Sequence, residues 1–120
     1  MNRDRKPLYF HPSCEKDYRG LPEGVQDDAG YNLDRVQQGK RPEISFGPLR
    51  QLGSGVMELR IDEDTDTYRV VYVAKLSEAV FVLDAFKKKS PTGKRIPKNI
   101  KERIQQRYEE AKIMNDQLKE

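Results

Sequence analysis

The stretch Val80–Ile100, VFVLDAFKKKSPTGKRIPKNI, decides the fold. Strand-forming apolar residues run to Phe86, and Lys87, Lys88 and Lys89 follow at once. A Ser90-Pro91-Thr92-Gly93 loop then carries Lys94 and Arg95, and a helix with isoleucine spacing begins near Pro97. Strand, basic loop and basic helix joined without a gap place several cations along one rigid edge, where a phosphate chain can lie against them.

Working back from this stretch, two more strands are expected. In Val56–Ile61 the apolar Met57, Leu59 and Ile61 alternate with Glu58 and Arg60, which predicts one solvated face. Tyr68–Leu76 and Ala79–Phe86 are apolar at nearly every position, so they are expected to be central and covered on at least part of both faces. Short connections make the three an antiparallel meander. Ile96, Ile100, Ile104, Tyr108 and Ala111 recur about every four residues, so the last helix can dock on that sheet. Its polar end, residues 113–120, is expected to fray.

The earlier half reads as helical. Leu8, Tyr9 and Phe10 form a short strand candidate, and Ser13 is expected to cap a brief helical turn through Tyr18. A second helix starts at Leu21-Pro22-Glu23, with Leu21, Val25, Ala29, Leu33 and Val36 as its apolar stripe and Gly39 as its stop. Residues 41–55 read as loop, anchored by Phe46, Leu49 and Leu52. The fold class is α+β: an N-terminal strand, a helical hairpin, a meander and a closing C-terminal helix, all in one domain spanning 1–120.

The net charge of +3 hides a strong polarity. From Lys87 to Arg107 nine basic residues face one acid, Glu102, a net +8, while the rest of the chain nets −5. Such asymmetry favours a polyanionic partner on one side; a solvated lysine-rich helix face is the plainer reading. The one cysteine, Cys14, excludes an internal disulfide and suits a reducing cytoplasm. No apolar run reaches membrane-span length, and the start MNRDRKPLYF lacks the apolar core of a secretory signal, so the expected location is cytoplasmic and away from membranes.

The single histidine, His11, leaves no histidine-pair nuclease and no His/Cys metal site. Gly53-Ser54-Gly55 is too short for a nucleotide-binding phosphate loop. Asp62, Asp64 and Asp66 alternate like the start of a calcium loop but lack its glycine and distal glutamate, and an exposed hairpin turn accounts for them better. No metal or cofactor is expected. Arginine and lysine on a sheet remain. Arg69 shares its strand face with Val71 and Val73, and an unpaired guanidinium there would be costly. It either pairs with Glu58 or Asp84 as a structural ion pair or serves a ligand. Phe86, which can stack on a base, can equally close a buried strand as core.

Met57-Glu58-Leu59-Arg60, Tyr68-Arg69-Val70-Val71-Tyr72 and Val82–Ser90, taken in this order and spacing, resemble the phage-related branch of the RelE/HigB-type toxins. Lys16–Pro22 and Leu33–Lys40 resemble that family's helical half, so the likeness spans Pro7 to Ala111. The resemblance implies a RelE-like fold and a toxin of a toxin–antitoxin pair. It implies a metal-independent endoribonuclease that cuts messenger RNA on the translating ribosome, with an antitoxin of the helix-turn-helix type as partner. By position Arg60, Arg69, Lys88 and Lys89 match the family's basic residues. Where many relatives carry histidine, this chain has Asp84.

The chemistry suits these residue types, because RNA supplies its own nucleophile, the 2′-hydroxyl. Arg69 is the candidate to stabilise charge on the phosphate. Lys88 or Lys89 is the candidate to move protons, since neighbouring like charge makes an ammonium easier to deprotonate. Arg60 completes the catalytic set, and Lys87, Lys94, Arg95, Lys98 and Phe86 are expected to hold the RNA. A non-catalytic nucleic-acid-binding module, or a phage-derived protein whose cations meet only an acidic partner, are the competing readings.

Overall fold

The structure, a computed structural model, describes residues 5–88 and 96–120. Among these the chain forms, in order, β1 (Leu8–Phe10), α1 (Pro12–Arg19), α2 (Glu23–Gln37), β2 (Phe46–Pro48), a 3-10 turn (Arg50–Leu52), β3 (Val56–Glu63), β4 (Asp66–Val73), β5 (Val80–Lys88) and α3 (Lys98–Leu118). The strands make one sheet in the order β1-β5-β4-β3-β2. β1 runs parallel to β5, and the other pairings are antiparallel. The α+β class, the meander and the closing helix are as the sequence predicts.

The helices divide between the two faces of the sheet. The stripe Leu21, Val25, Ala29, Leu33 and Val36 packs with Leu59, Ile61, Val70, Tyr72 and Val82 on one face. Ile104, Tyr108 and Ala111 of α3 pack with Val56, Val71, Val73, Phe81 and Leu83 on the other. The central strands are therefore covered twice, which is why their apolar run is continuous.

Four expectations need correction. The cap of α1 is His11, whose Nδ1 accepts from the Ser13 amide at 3.1 Å, so Ser13 is the donor and not the cap. Residues 41–55 are not all loop: Phe46–Pro48 pairs along β3 as an edge strand, with Pro48 at its end where no ladder donor is needed. Glu58 is not solvated: it lies between the arginines Arg60 and Arg69 and is 7% exposed. The tail continues as helix to Leu118 and does not fray at Ile113. Asn115 explains that last difference: its Oδ1 accepts from the Glu78 amide at 2.8 Å and ties the helix to the β4–β5 connection. Asp64 and Thr65 form the β3–β4 hairpin turn, with Asp64 at φ 55°, while Asp62, Glu63 and Asp66 pair at the strand ends.

A bulge positions the site. Val71 pairs with Asp84 but Tyr72 pairs with Val82, so Leu83 is the extra residue on β5. Asp84, opposite Val71, lies on the face that α3 covers, and the shift puts Leu83 on that face beside it. β1 pairs only as far as Val82, and beyond it the outer edge of β5 lies open to side chains.

Candidate functional site

A groove of about 620 Å³ follows that open edge. Its floor is Glu58 of β3, Arg69 of β4, and Ala85, Phe86, Lys87 and Lys88 of β5. The start of α3 forms one wall through Pro97, Asn99, Ile100 and Arg103, and Asp17 and Leu21 beside α1 close the other side. The first turn of α3 holds no acidic residue, so the partial positive charge of the helix end is not offset there.

Strand register explains the floor. Arg60 lies directly opposite Arg69, and Arg69 opposite Phe86. Like charges across a ladder repel, and Glu58 lies between them. Its Oε2 accepts from Arg60 Nε at 3.1 Å, and its Oε1 lies 3.1 Å from Arg69 Nε. The Arg69 contact is ionic without hydrogen-bond geometry. Glu58 Oε1 and Arg69 Nη1 are buried with no hydrogen-bond partner among the described residues. Of the two expected partners for Arg69, Glu58 is the one it has. The guanidinium thus enters the groove half-satisfied, with a buried donor to offer.

Asp84 does something else. It is fully buried and accepts two hydrogen bonds from Arg103, from Nε to Oδ2 and from Nη2 to Oδ1, both 2.7 Å. Arg107 Nη1 lies 3.4 Å from Oδ2 and donates to the Leu83 carbonyl at 3.0 Å. The Ala85 amide donates to Asp84 Oδ1 at 2.9 Å, so the bulged edge is satisfied from within. Its hydrogen bond to Asp84 raises the Arg103 pKa, against the opposing effect of partial burial.

The sequence-derived residues separate into three groups. Arg69, Phe86, Lys87 and Lys88 meet in the groove. Strand alternation sends Lys87 to the opposite face from Lys88, and there it pairs with Asp66 at 3.2 Å, so like-charge crowding of Lys88 is relieved on that side. Phe86 both lines the groove and packs against the α3-side core. Arg60 and Lys98 do not line the groove. Arg60 is held over Gly47 by Ser45 Oγ at 2.9 Å and the Phe46 carbonyl at 3.2 Å, which commits it to β2. Lys98 is exposed at the first position of α3. Lys89, Lys94 and Arg95 lie outside the described residues.

Sequence reasoning missed Arg103 and Arg107, whereas Glu58 was expected as one of the two partners of Arg69. Arg103 and Arg107 stand four apart on the face of α3 that docks, and a lone carboxylate in an apolar strand is the signal that would have matched them. His11 is remote from this chemistry: its Nε2 lies 2.5 Å from Glu110 Oε1 while Nδ1 caps α1. Burial pushes the Cys14 thiol up to about 12, so it is no nucleophile at neutral pH.

An antiparallel meander with helices on both faces and a basic groove at its edge is compatible with the RelE-like toxins. The profile of the family described as Phage derived protein Gp49-like (DUF891) matches residues 16–109, and the chain belongs to that family. Its members are RelE-like toxins in general and are commonly related to toxin–antitoxin pairs. No curated protein and no solved structure matches the chain significantly. No helix among the described residues is long and apolar enough to cross a membrane.

Proposed function

We propose that this protein is the toxin of a toxin–antitoxin pair and that it cleaves messenger RNA in the β5-edge groove, in the cytoplasm and on the translating ribosome, until an antitoxin of the helix-turn-helix type covers it. One observation carries the reading. Arg69 is a central-strand arginine whose buried Nη1 donor has no partner among the described residues, set in a groove beside Lys88 and an aromatic ring.

In this reading the 2′-hydroxyl gives its proton to water as its oxygen attacks the adjacent phosphorus, the O2′–P bond forms and the P–O5′ bond breaks. The products are a 2′,3′-cyclic phosphate and a 5′-hydroxyl. Arg69 meets the charge that grows on the non-bridging oxygens, where a fixed donor in a shielded site acts more strongly than in water. Lys88, with Lys89 as its alternate, returns a proton to the leaving O5′. Phe86 offers its ring to a neighbouring base, and Lys87 is available to the backbone once Asp66 releases it. Holding the strand in line supplies the remainder of the rate.

The test is to induce the protein in cells and map new RNA 5′ ends, then repeat with purified protein on single-stranded RNA with and without ribosomes. Arg69→Lys keeps the charge but loses the fork; it is expected to lower kcat about 10²-fold, the size of one lost transition-state donor. Lys88→Ala is expected to abolish new ends while RNA is still bound. Binding without any cleavage by the unmodified chain would leave only the binding-module reading standing.

A further inference from the structure

We infer that Arg103 is a phosphate-binding residue of the groove and that Asp84 is the positioning residue that holds it there. The inference rests on reading the groove as an RNA site, and it adds a contact from α3 that faces the β4 arginine. Arg103 lines the groove and keeps 36% of its side chain exposed, although two of its nitrogens are fixed on Asp84. Nη1 is not used in that fork, and a guanidinium locked at two points loses little freedom when a third contact forms. Arg107 shares the same carboxylate, yet it is 8% exposed and does not line the groove. One buried acid therefore carries two arginines with different tasks: Arg107 pins α3 to the bulge at Leu83, and Arg103 faces the ligand. Register makes this possible, since Asp84 lies opposite Val71 on the face that α3 covers, and the bulge adds Leu83 beside it.

The probe is a fluorescein-labelled 2′-O-methyl RNA 12-mer, which cannot supply the nucleophile, read by anisotropy across a salt series. Arg103→Gln and Arg107→Gln each remove one arm from Asp84, but only the first removes a groove cation. Arg103→Gln is expected to weaken binding about tenfold and to make the slope of log affinity against log salt shallower by about 0.7, as for one lost phosphate contact to a single strand. Arg107→Gln is expected to leave that slope unchanged. Asp84→Asn adds net positive charge near the groove, so charge alone would tighten binding; positioning predicts weaker binding with the slope kept. Should Asp84→Asn fail to fold, the two arginine variants still decide the matter. Equal losses of affinity and slope in both arginine variants, or no loss in Arg103→Gln, overturn the inference while the groove reading survives. No binding by the unmodified chain overturns both.

Discussion

Glu58 shows how one residue can be read wrongly from its pattern and correctly from its neighbours. Alternation puts it on the polar face of β3, but that face is covered, and the carboxylate becomes the counter-charge for two arginines that would otherwise oppose each other. Removing its charge leaves the largely covered Arg69, its side chain 11% exposed, without an ion-pair partner among the described residues, a situation that for a buried pair costs about 3–5 kcal/mol. Glu58→Gln is accordingly expected to lower the urea midpoint strongly, whereas Glu15→Gln, which breaks the exposed pair with Arg19, is expected to leave it nearly unchanged, a stability loss of less than about 0.5 kcal/mol. Comparable midpoints for the two would show that Arg69 finds another counter-charge. A second residue-scale prediction concerns Glu110. Its hydrogen bond with His11, chiefly, holds its carboxyl below the ordinary range. A depressed folded-state value stabilises the protein above the ordinary glutamate pKa, roughly 4.3, and that contribution is lost as pH falls through the folded value. Wild type is thus expected to exceed Glu110→Gln in stability near neutrality and to converge with it in acid; a constant gap at all pH would refute the link.

At the scale of elements, α3 carries the most information. Its isoleucine stripe was legible because period and helix length agree over five positions, and Ile104 and Ala111 are fully buried as that stripe requires. Ile104→Ala is expected to cost about 2–5 kcal/mol, read from chemical denaturation. The end of the same helix was not legible, because what holds it is a polar residue with a distant partner. Asn115 bonds the Glu78 amide and donates to Ser77 Oγ at 3.2 Å, neither of which leaves a local trace in NDQLKE. Asn115→Ala is expected to cost about 1–3 kcal/mol by stranding that amide, and to speed hydrogen exchange at Glu78; unchanged exchange there would mean the helix end is held otherwise. β2 escaped for a related reason. Phe46-Gly47-Pro48 carries two residues that argue against a strand, and only the edge position, with Arg60 lying over Gly47, makes both tolerable. The Asp84–Arg103 fork left only the lone carboxylate as a trace, since its two residues stand 19 apart in sequence on different elements and no local spacing joins them.

Across the whole molecule the charge polarity of the sequence is real but partly spent internally. Of the cations between Lys87 and Arg107, Lys87 faces Asp66 and both arginines of α3 face Asp84. Lys88, Lys98 and Lys101 form no ion pair among the described residues. The field at the groove is therefore weaker than +8 suggests, and its strength can be measured through counterion release. If Arg69, Lys88 and Arg103 are the phosphate contacts, log affinity for a single strand is expected to fall against log salt with a slope of about −2, at roughly 0.7 per contact. Lys94 and Arg95, which sequence reasoning assigns to RNA, would steepen this to about −3.5 if both engage the backbone. The double variant Lys94→Gln, Arg95→Gln separates the cases. A slope that relaxes by about 1.4 assigns both loop cations to the RNA, while an unchanged slope confines recognition to the sheet edge and α3. In the second case Lys94 and Arg95 are left for a partner other than the RNA strand, and under the proposed toxin reading an acidic antitoxin is then expected to lose affinity for the same double variant in a pull-down titration.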